Sequence, residues 1–458
     1  MVNKMSSANK LALLSEKLKT IDKASPARAR LIKLFDENTF VEIDAFAKSG
    51  ENAAAVVTGY GSVDGSTVFA FCQDSTVASG AIGKAHAAKI KKVYELAAKT
   101  GSPVVGIYDS KGADLAAPYD TMAAYGELLA LSNNLSGVVP QVSLVLGTCA
   151  GGAALIASGA DFIVMSEEGE FFLSSPASGE ACSAKNAAAE GVAHILAKDE
   201  SEALEAARKI ISLLPLNNLA EAPIWDFEEV SGSAEVLNGE DVALTDIVKN
   251  IADAGSVTEL QASFGKNAFA ALATIGGQAV GIVGISGSLG KDECAKLART
   301  VSICDAFSIP VITLVNTEGF SGNVRDTAAL AHVYAEATTP KISVVLGKAY
   351  GSAYIALAGK GANADMAYAW PNAVISPLKP ETAVAFLYND RITAEKSRQD
   401  VEAEYADTEA SAFAYAERGM IDAVIEPSAT RAVIISAMDM LSGKRVNTMP
   451  KKHSNMPL

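Results

Sequence analysis

The sequence has few of the residues that build disulfide frameworks or structural metal sites. Its five cysteines are odd in number, none is spaced as CxxC, and they lie in apolar stretches. This distribution is typical of reduced thiols and excludes a zinc ribbon. His194 and His332 have no partner at metal-ligand spacing, so we predict no metal in this chain.

Long apolar runs and positive charge are also scarce. No uninterrupted apolar run reaches the roughly 20 residues needed to span a bilayer, and no signal-peptide pattern stands at the start. The net charge of −15 opposes binding to nucleic acid or anionic lipid. We therefore expect a cytoplasmic protein that binds no nucleic acid. Because only 20% of the residues are charged, we also expect an oligomer with large interfaces.

The length and composition predict a two-domain α/β protein. A chain of 458 residues, 49% of them hydrophobic, is too long for a single core. Residues 4–21 place leucines on one face of an amphipathic helix. Residues 56–71 predict a hairpin around Asp64-Gly65. Residues 200–214 predict a helix, followed by a linker at 215–225, so we place the domains at 1–225 and 226–458.

Two segments of the sequence repeat each other at a constant offset of 200 residues. Residues 138–154 read VVPQVSLVLGTCAGGAA and residues 338–354 read TTPKISVVLGKAYGSAY. Asp64-Gly65 likewise corresponds to Gly276-Gly277, each between two β-rich runs, and Pro103 corresponds to Pro310 before an apolar strand. Ordered matches of this kind indicate an internal duplication.

The repeated segments each predict a strand, a turn of small residues and a helix. The turns run over residues 147–153 and 347–353. N–H groups in the first turn of a helix have no internal acceptor, so they can hold an oxygen that becomes negative during a reaction. The alternative interpretation is that small residues only let helix and strand pack closely. The duplication favours a functional role, but spacing alone names no reaction.

Several longer motifs carry a resemblance to a known family. They are ARARLIKLFDENTFVEID at 27–44, VVTGYGSVDG at 56–65, SGVVPQVSLVLGTCAGGA at 136–153, YAEATTPKISVVLGKAYGSAY at 334–354 and AERGMIDAVIEP at 416–427, with KKHSNMPL at the end. The sequence resembles the carboxyltransferase β subunits of propionyl-CoA and acetyl-CoA carboxylases over almost its whole length. The resemblance implies two tandem domains of the crotonase (ClpP/crotonase) fold.

The resemblance also implies the site residues. Gly151 and Gly152 would form one oxyanion hole, for the thioester, and Ser352 and Ala353 a second, for the ureido oxygen of biotin. Residues that would contact coenzyme A or biotin are Gly80, Ala81, His86, Gly112, Ala113, Gly351, Tyr354 and Ile355. A lone helical histidine such as His86 is also often structural. We assign Glu318 no role, since an acidic loop residue is usually solvated.

The chain departs from the family pattern in three places. The family commonly has DSGGARIQEG where residues 109–118 read DSKGADLAAP. The connection at residues 317–331 is shorter than in the family, and Ser352 replaces a common glycine. A serine still offers its backbone N–H, so the second hole survives where the local dihedral angles suit a residue with a Cβ.

The implied reaction moves a carboxyl group between biotin and a short acyl-CoA, with propionyl-CoA and methylmalonyl-CoA as the expected pair. The freed ureido nitrogen would take the α-proton, so no protein base is required. The chain has no Met-Lys-Met biotin attachment site and no ATP-binding region. We therefore expect biotin on a separate carrier, a partner that is a biotin carboxylase or a membrane decarboxylase subunit, and a homo-hexamer built as a trimer of dimers.

Three alternatives remain open at this stage. The same half-reaction could serve a sodium-pumping methylmalonyl-CoA decarboxylase. The altered 109–118 loop and Ser352 could mark a non-catalytic assembly subunit. A crotonase-type hydratase or isomerase is disfavoured, because no glutamate closely follows either small-residue turn.

Overall fold

The described residues fall into two compact units. The computed structural model describes residues 7–19, 21, 24–49, 52–174, 179–230, 232–238, 242–361, 364–452 and 454–457. The units are Met1–Ser212 and Leu213–Leu458. The division comes earlier than the predicted boundary at 225/226 because the end of the predicted linker pairs with the second unit. Ile224 bridges Gln278 there, and the Trp225 N–H donates to the Gly277 carbonyl.

Unit 1 is an eight-stranded mixed sheet with helices. Its strands are β1 Val41–Ile43, β4 Val56–Val63, β5 Ser66–Gln73, β6 Val104–Ser110, β7 Gln141–Ala150, β8 Phe162–Ser166, β9 Glu170–Phe172 and β10 Ile195–Ala197, with β2 Lys48–Ser49 and β3 Asn52–Ala53 forming a separate small hairpin. Its helices are α1 Ser7–Lys19, α2 Pro26–Leu34, α3 Lys84–Thr100, α4 Pro118–Asn134, α5 Gly152–Ala157, α6 Ala184–Ala189 and α7 Glu200–Leu213. Short 3-10 turns lie at Ala78–Gly80 and Gly179–Cys182.

Unit 2 is a second eight-stranded sheet with its own helices. Its strands are β11 Thr258–Glu259, β12 Ala268–Ile275, β13 Gln278–Ser286, β14 Val311–Thr317, β15 Lys341–Tyr350, β16 Met366–Ala369, β17 Val374–Ser376 and β18 Ala423–Val424. Its helices are α8 Leu244–Ile251, α9 Lys291–Ala306, α10 Val324–Glu336, α11 Gly351–Leu357, α12 Pro380–Leu387, α13 Arg398–Asp407, α14 Ala412–Glu417 and α15 Thr430–Leu441. Further 3-10 turns are Ala234–Asn238, Asn389–Arg391 and Pro427–Ala429.

The two sheets have the same topology. The strand order is β1-β4-β5-β6-β7-β8-β10 in unit 1 and β11-β12-β13-β14-β15-β16-β18 in unit 2, with β9 paired to β7 and β17 paired to β15. In each unit a hairpin is antiparallel and the strands after it are parallel. The duplication predicted from residues 138–154 and 338–354 is therefore confirmed at the level of the whole fold.

The predicted local elements agree with the structure, apart from two strand ends. The hairpins at Asp64-Gly65 and Gly276-Gly277 and the helix after Asp199 are present. The turns predicted to begin at Gly147 and Gly347 begin later, since β7 continues to Ala150 and β15 to Tyr350. The strands extend because their last residues pair with β9 and β17 after a register shift.

The repeated strands are buried on both faces, which explains their unbroken apolar sequences. Ile312, Leu314 and Val344 are fully buried, and each side chain of this kind stabilises the fold by roughly 1.5–3 kcal/mol. Helix α1 differs, because none of its residues is buried. The predicted start of that helix, residues 4–6, lies outside the described residues. No helix in the described parts is long and apolar enough to cross a membrane.

Candidate active site

In unit 1, two neighbouring loops at the carboxyl ends of the central strands bring predicted site residues together. Ser110, which ends β6, pairs with Cys149 near the end of β7. Gly112 follows in the β6 loop, and a Cβ built on it would lie 3.7 Å from the Ala150 carbonyl oxygen. The loop after β6 therefore lies directly beside the turn that opens α5.

Gly151 forms the turn but does not offer a free donor. Its φ of 62° lies in the left-handed region that favours glycine, and its N–H donates to the Phe172 carbonyl at 2.9 Å. Gly152 begins α5, and its N–H has no acceptor among the described residues. Of the predicted pair, Gly152 can therefore donate to a ligand, while Gly151 shapes the chain for it.

A second available donor comes from Ala113. The neighbouring backbone groups of this loop are already hydrogen-bonded. Ile82 N–H donates to Gly112 O and Asp114 N–H donates to Ile82 O, while Gly112 N–H donates to Ser110 Oγ. Within the described part of the chain, the Ala113 N–H is left without an acceptor. Ala113, predicted above as a ligand contact, therefore offers a free backbone donor that can act together with that of Gly152.

Gly80 and Ala81 lie against the same loop. A Cβ on Gly80 would lie 2.4 Å from the Asp109 carbonyl oxygen, and the Gly80 and Ala81 N–H groups are used inside their own 3-10 turn. They supply close packing rather than free donors. His86 is 2% exposed, and burial lowers the pKa of its imidazole to about 3 while the Ala81 amide lies beside it. His86 thus lies beneath the loop and not at its surface, and its role as a ligand contact stays a prediction.

Unit 2 repeats this arrangement at the end of β15. Gly351 has a φ of 57° and begins α11, so Ser352 and Ala353 lie in the first helical turn. No hydrogen bond within the described residues uses their N–H groups. Ser352 is exposed and Ala353 is buried. Ser352 therefore takes the position of Gly152 with its donor intact.

The loop after β14 supplies the counterpart of Ala113. Gly319 N–H donates to Thr317 Oγ1, and Leu289 N–H donates to Gly319 O. The next residue, Phe320, bridges Leu289 as Ala113 bridges Ile82. Its N–H has no acceptor in the described part of the chain. Phe320 was not among the predicted site residues, although the internal duplication, extended to this loop, matches it to Ala113.

The two remaining predicted residues of unit 2 differ in accessibility. The Tyr354 hydroxyl donates to the Met420 carbonyl at 3.1 Å, and burial raises the pKa of that hydroxyl to about 12. Tyr354 is therefore held in place as a neutral side chain. Ile355 is 57% exposed on the outer face of α11, where it is available for an apolar contact.

Glu318, which the sequence analysis left without a role, is held by two lysines. Its Oε1 lies 2.7 Å from Lys348 Nζ and its Oε2 lies 2.6 Å from Lys379 Nζ. Both hydrogen bonds lower the pKa of the Glu318 carboxyl, to about 2, and the bond from Lys348 has the larger effect. The carboxylate is therefore ionised at physiological pH and already paired.

His194 and His332 are each held by contacts within their own unit. His194 Nδ1 accepts from the Ile163 N–H in the interior of unit 1. His332 Nε2 contacts Ser454 Oγ at 2.8 Å and Glu336 at 3.0 Å on α10. Among the described residues, no group of three or more His, Cys, Asp or Glu is placed to hold a metal.

A cavity in unit 1 lies between α1, the β2–β3 hairpin and the end of β5. Its volume is about 830 Å³, and its walls combine apolar residues such as Leu13, Phe46 and Val77 with several cations. The cationic residues are Lys10, Lys17, Arg28, Lys48 and Lys89. Val77 immediately precedes the Ala78–Gly80 turn, so the cavity adjoins the loop that packs against Ala113. A cavity of this size and composition can take a drug-sized anionic ligand.

Comparison with known proteins shows the family to which the chain belongs. The carboxyl transferase domain model matches residues 24–456. The chain is 37% identical to methylmalonyl-CoA decarboxylase subunit alpha of Veillonella parvula, with 94% of this chain and 93% of that protein covered. It is also 37% identical to the propionyl-CoA carboxylase beta chain of Saccharopolyspora erythraea, with 94% and 90% covered.

A solved structure gives the same result. Transcarboxylase 12S, described as a hexamer and crystallised with methylmalonyl-coenzyme A and methylmalonic acid bound, matches with a TM-score of 0.93 and 32% identity over 100% of both chains. The expected fold of two tandem crotonase-like domains is confirmed by this match. The chain therefore belongs to the carboxyl transferase family, and is a carboxyltransferase subunit of the type found in propionyl-CoA carboxylases and methylmalonyl-CoA decarboxylases.

Proposed function

We propose that this carboxyltransferase moves a carboxyl group between biotin and the α-carbon of a short acyl-CoA, with propionyl-CoA and methylmalonyl-CoA as the preferred pair. Biotin enters as a substrate on a separate carrier protein. The observation that carries the proposal is the repeated pair of unused backbone donors, Gly152 with Ala113 and Ser352 with Phe320. The bound ligands of transcarboxylase 12S and the names of the two relatives support the choice of substrate.

Unit 1 is the proposed acyl-CoA side. The Gly152 and Ala113 N–H groups would hold the thioester oxygen as it becomes an enolate oxygen. Gly112 would let the thioester approach the backbone closely, while Gly80 and Ala81 pack against the same loop and support it. The cavity beside Val77 would take the nucleotide end of coenzyme A, with Lys10, Lys17 and Lys48 facing the phosphates. An otherwise acidic protein needs such a local concentration of cations to bind an anionic substrate.

Unit 2 is the proposed biotin side. The Ser352 N–H, at the start of a helix opened by Gly351, and the Phe320 N–H would hold the ureido oxygen, with the Ala353 N–H beside them in the first helical turn. Tyr354 fixes the helix through Met420, and exposed Ile355 offers an apolar surface for the ring or for a small acyl group. The ureido ring supplies the transferable carboxyl group and a nitrogen that can accept the α-proton.

The residues of this chain would act mainly through position and prearranged dipoles. Each oxyanion-hole donor contributes roughly 3 kcal/mol or more to lowering the barrier, and holding both substrates in register contributes further. Glu318 is paired with two lysines and His86 is buried, so neither side chain is free to act as a base. This arrangement suits a reaction in which one substrate removes the proton of the other.

The proposed assembly is a homo-hexamer that works with a biotin carrier and with either a biotin carboxylase or a membrane decarboxylase subunit. The carboxylase and decarboxylase relatives named above have the same sequence identity to this chain. We therefore propose that the partner subunits determine the direction of carboxyl transfer. A non-catalytic assembly subunit is the second candidate, motivated by the DSKGADLAAP loop. The preserved Gly112–Ala113 backbone in that loop favours the catalytic proposal.

The test is carboxyl transfer by the purified full chain. Methylmalonyl-CoA and free biotin or a biotinylated carrier would be supplied, and the appearance of propionyl-CoA followed by chromatography. We expect turnover that depends on biotin. A chain that binds the CoA ester but gives no biotin-dependent product with any short acyl-CoA would instead support the assembly role.

A further inference from the structure

Two lysines of unit 2 hold a single carboxylate between them. Lys348 and Lys379 reach opposite oxygens of Glu318, at 2.7 Å and 2.6 Å. The three side chains are about half exposed, at 52%, 48% and 44%. Exposed ion pairs of this kind contribute little to stability, so another carboxylate can replace Glu318 at small cost.

The cluster lies at the same strand ends as the backbone donors. Glu318 immediately precedes Gly319 and Phe320. Lys348 is in β15, three residues before Gly351, and Lys379 follows β17, which pairs with the end of β15. The Glu318 carboxylate, which both ammonium groups contact, lies two residues before Phe320, and Lys348 lies four residues before Ser352, so the cluster is carried by the same segments as these N–H groups.

The described residues of unit 1 do not repeat this cluster, although the sheet topology is the same. The residue that precedes Gly112, as Glu318 precedes Gly319, is Lys111. The residue at the position of Lys348 is Thr148, whose hydroxyl donates to Glu170 at 2.9 Å. The lysine pair is therefore not required by the repeated fold, and it distinguishes the ligand of unit 2 from that of unit 1.

We infer that Lys348 and Lys379 form a binding subsite for the carboxylate of the group being transferred, and that Glu318 is an internal occupant which the substrate displaces. The inference rests on the proposed function, in which unit 2 receives biotin. The Glu318 carboxylate has the charge and the two-oxygen geometry of the carboxyl group on N-carboxybiotin, and each oxygen already meets one ammonium group.

The subsite distinguishes the two forms of biotin. Carboxylated biotin carries a negative charge and competes with Glu318 for the lysines. Biotin that has lost its carboxyl group is uncharged at the ureido ring, so Glu318 returns to the lysines and the product leaves. The methylmalonyl-CoA carboxylate has the same chemistry, and separate kinetic measurements distinguish the two sources.

Three variants and one control test the subsite in the full chain. Propionyl-CoA would be carboxylated with N-carboxybiotin as the donor, and the KM of each substrate measured; the KM of methylmalonyl-CoA would be measured in the reverse direction. Lys348→Gln and Lys379→Gln should each raise the KM of N-carboxybiotin about tenfold, with the KM of both CoA esters within about twofold. Glu318→Gln should lower the KM of N-carboxybiotin about threefold, because the competing carboxylate is gone.

The control is Lys360→Gln, which removes a lysine of unit 2 that pairs with Asp422, and it should change none of these constants. Opposite effects of the glutamate and lysine substitutions cannot come from a purely structural ion-pair cluster. The inference is overturned if all three variants impair the reaction alike, or if the lysine variants leave the KM of N-carboxybiotin unchanged. A rise confined to methylmalonyl-CoA would also overturn it. Wild-type protein inactive in both directions would instead refute the proposed function.

Discussion

The α-carbon of Gly152 faces the ring of Tyr125 at a distance that leaves no room for a side chain. A Cβ built on Gly152 would lie 2.7 Å from two of the ring carbons, closer than real Cβ contacts. Helix α4, which carries Tyr125, thus fixes the position of the backbone that bears the Gly152 N–H. This contact links the packing of unit 1 to its proposed oxyanion hole.

Replacing Gly152 by alanine should therefore reduce catalysis more than it reduces stability. The Cβ displaces either the ring or the first turn of α5, which moves the donor away from the thioester oxygen. We expect kcat to fall by about a hundredfold or more, measured as biotin-dependent loss of methylmalonyl-CoA. The control is Gly126→Ala in α4, where no atom lies within 4 Å of the new Cβ; a loss in the control equal to that of Gly152→Ala would contradict the account.

An arginine–aspartate pair repeats at the two hairpins and allows a matched stability test. Arg208 pairs with Asp36 at 2.7 Å, and Arg431 pairs with Asp253 at 2.6 Å. Each aspartate also accepts from the two N–H groups of its hairpin turn. Burial alone raises the pKa of the Asp253 carboxyl, but the hydrogen bonds from Gly277, Thr274 and Arg431 hold it below its ordinary value.

Asp253→Asn should destabilise the protein more than Asp36→Asn. The Asp253 side chain is 2% exposed and that of Asp36 is 27% exposed. Removing the buried charge leaves Arg431 uncompensated and should cost about 3 kcal/mol, whereas the exposed pair should cost about 1 kcal/mol. Urea unfolding midpoints would measure both, and an equal or reversed order would show that burial does not govern these pairs.

Much of this architecture was accessible from the sequence because the duplication is visible in short motifs. The alignment of Gly147 with Gly347 predicted equivalent turns, but not the reason for a glycine there. The structure supplies it, since Asp109 Oδ1 and Asn316 Oδ1 would lie 2.2 Å and 2.7 Å from a Cβ on these residues. The strand order and the Arg208–Asp36 pair, 172 residues apart, depend on tertiary packing that no local pattern encodes.

The candidate site was predictable only in part for a related reason. Small residues before a helix indicate available N–H groups, which identified Gly152, Ser352 and Ala353. The loss of the Gly151 donor to Phe172, and the freedom of the Ala113 and Phe320 donors, follow from pairing between distant loops. The periodicity of the sequence carries no information about such pairing. The free donors can be assigned only from the hydrogen-bond network of the folded chain.

His86 should make stability depend on pH below neutrality. Burial lowers the pKa of its imidazole from 6.5 to about 3, so between these values the unfolded chain binds a proton that the folded chain does not. The contribution of His86 to the free energy of unfolding is fully present above pH 6.5 and is lost as the pH falls below that value. By pH 5 the loss should be about 1–2 kcal/mol, and His86→Gln should reduce that loss when urea midpoints at pH 5 and pH 8 are compared. An unchanged pH dependence in His86→Gln would contradict the assignment.

The cationic cavity of unit 1 should determine affinity for the CoA ester. Lys10→Glu and Lys17→Glu place negative charge where we propose that the phosphates bind. Each should raise the KM of methylmalonyl-CoA about tenfold, with kcat within about twofold, because the cavity contacts the substrate away from the reacting atoms. Lys99→Glu at the end of α3 is the charge-matched control, and an equal rise in that variant would point to net charge rather than to the cavity.

The most direct measurement of the central claim compares Ser352→Pro with Ser352→Ala in the transfer of a radiolabelled carboxyl group from methylmalonyl-CoA to biotin. Proline removes the N–H but is tolerated in the first turn of a helix, whereas alanine keeps the N–H and loses only the hydroxyl. If backbone donors hold the developing negative oxygen, Ser352→Ala should transfer label within about twofold of the wild-type rate and Ser352→Pro should be slower by about a hundredfold or more. Equal rates in two variants with wild-type circular dichroism would contradict the claim.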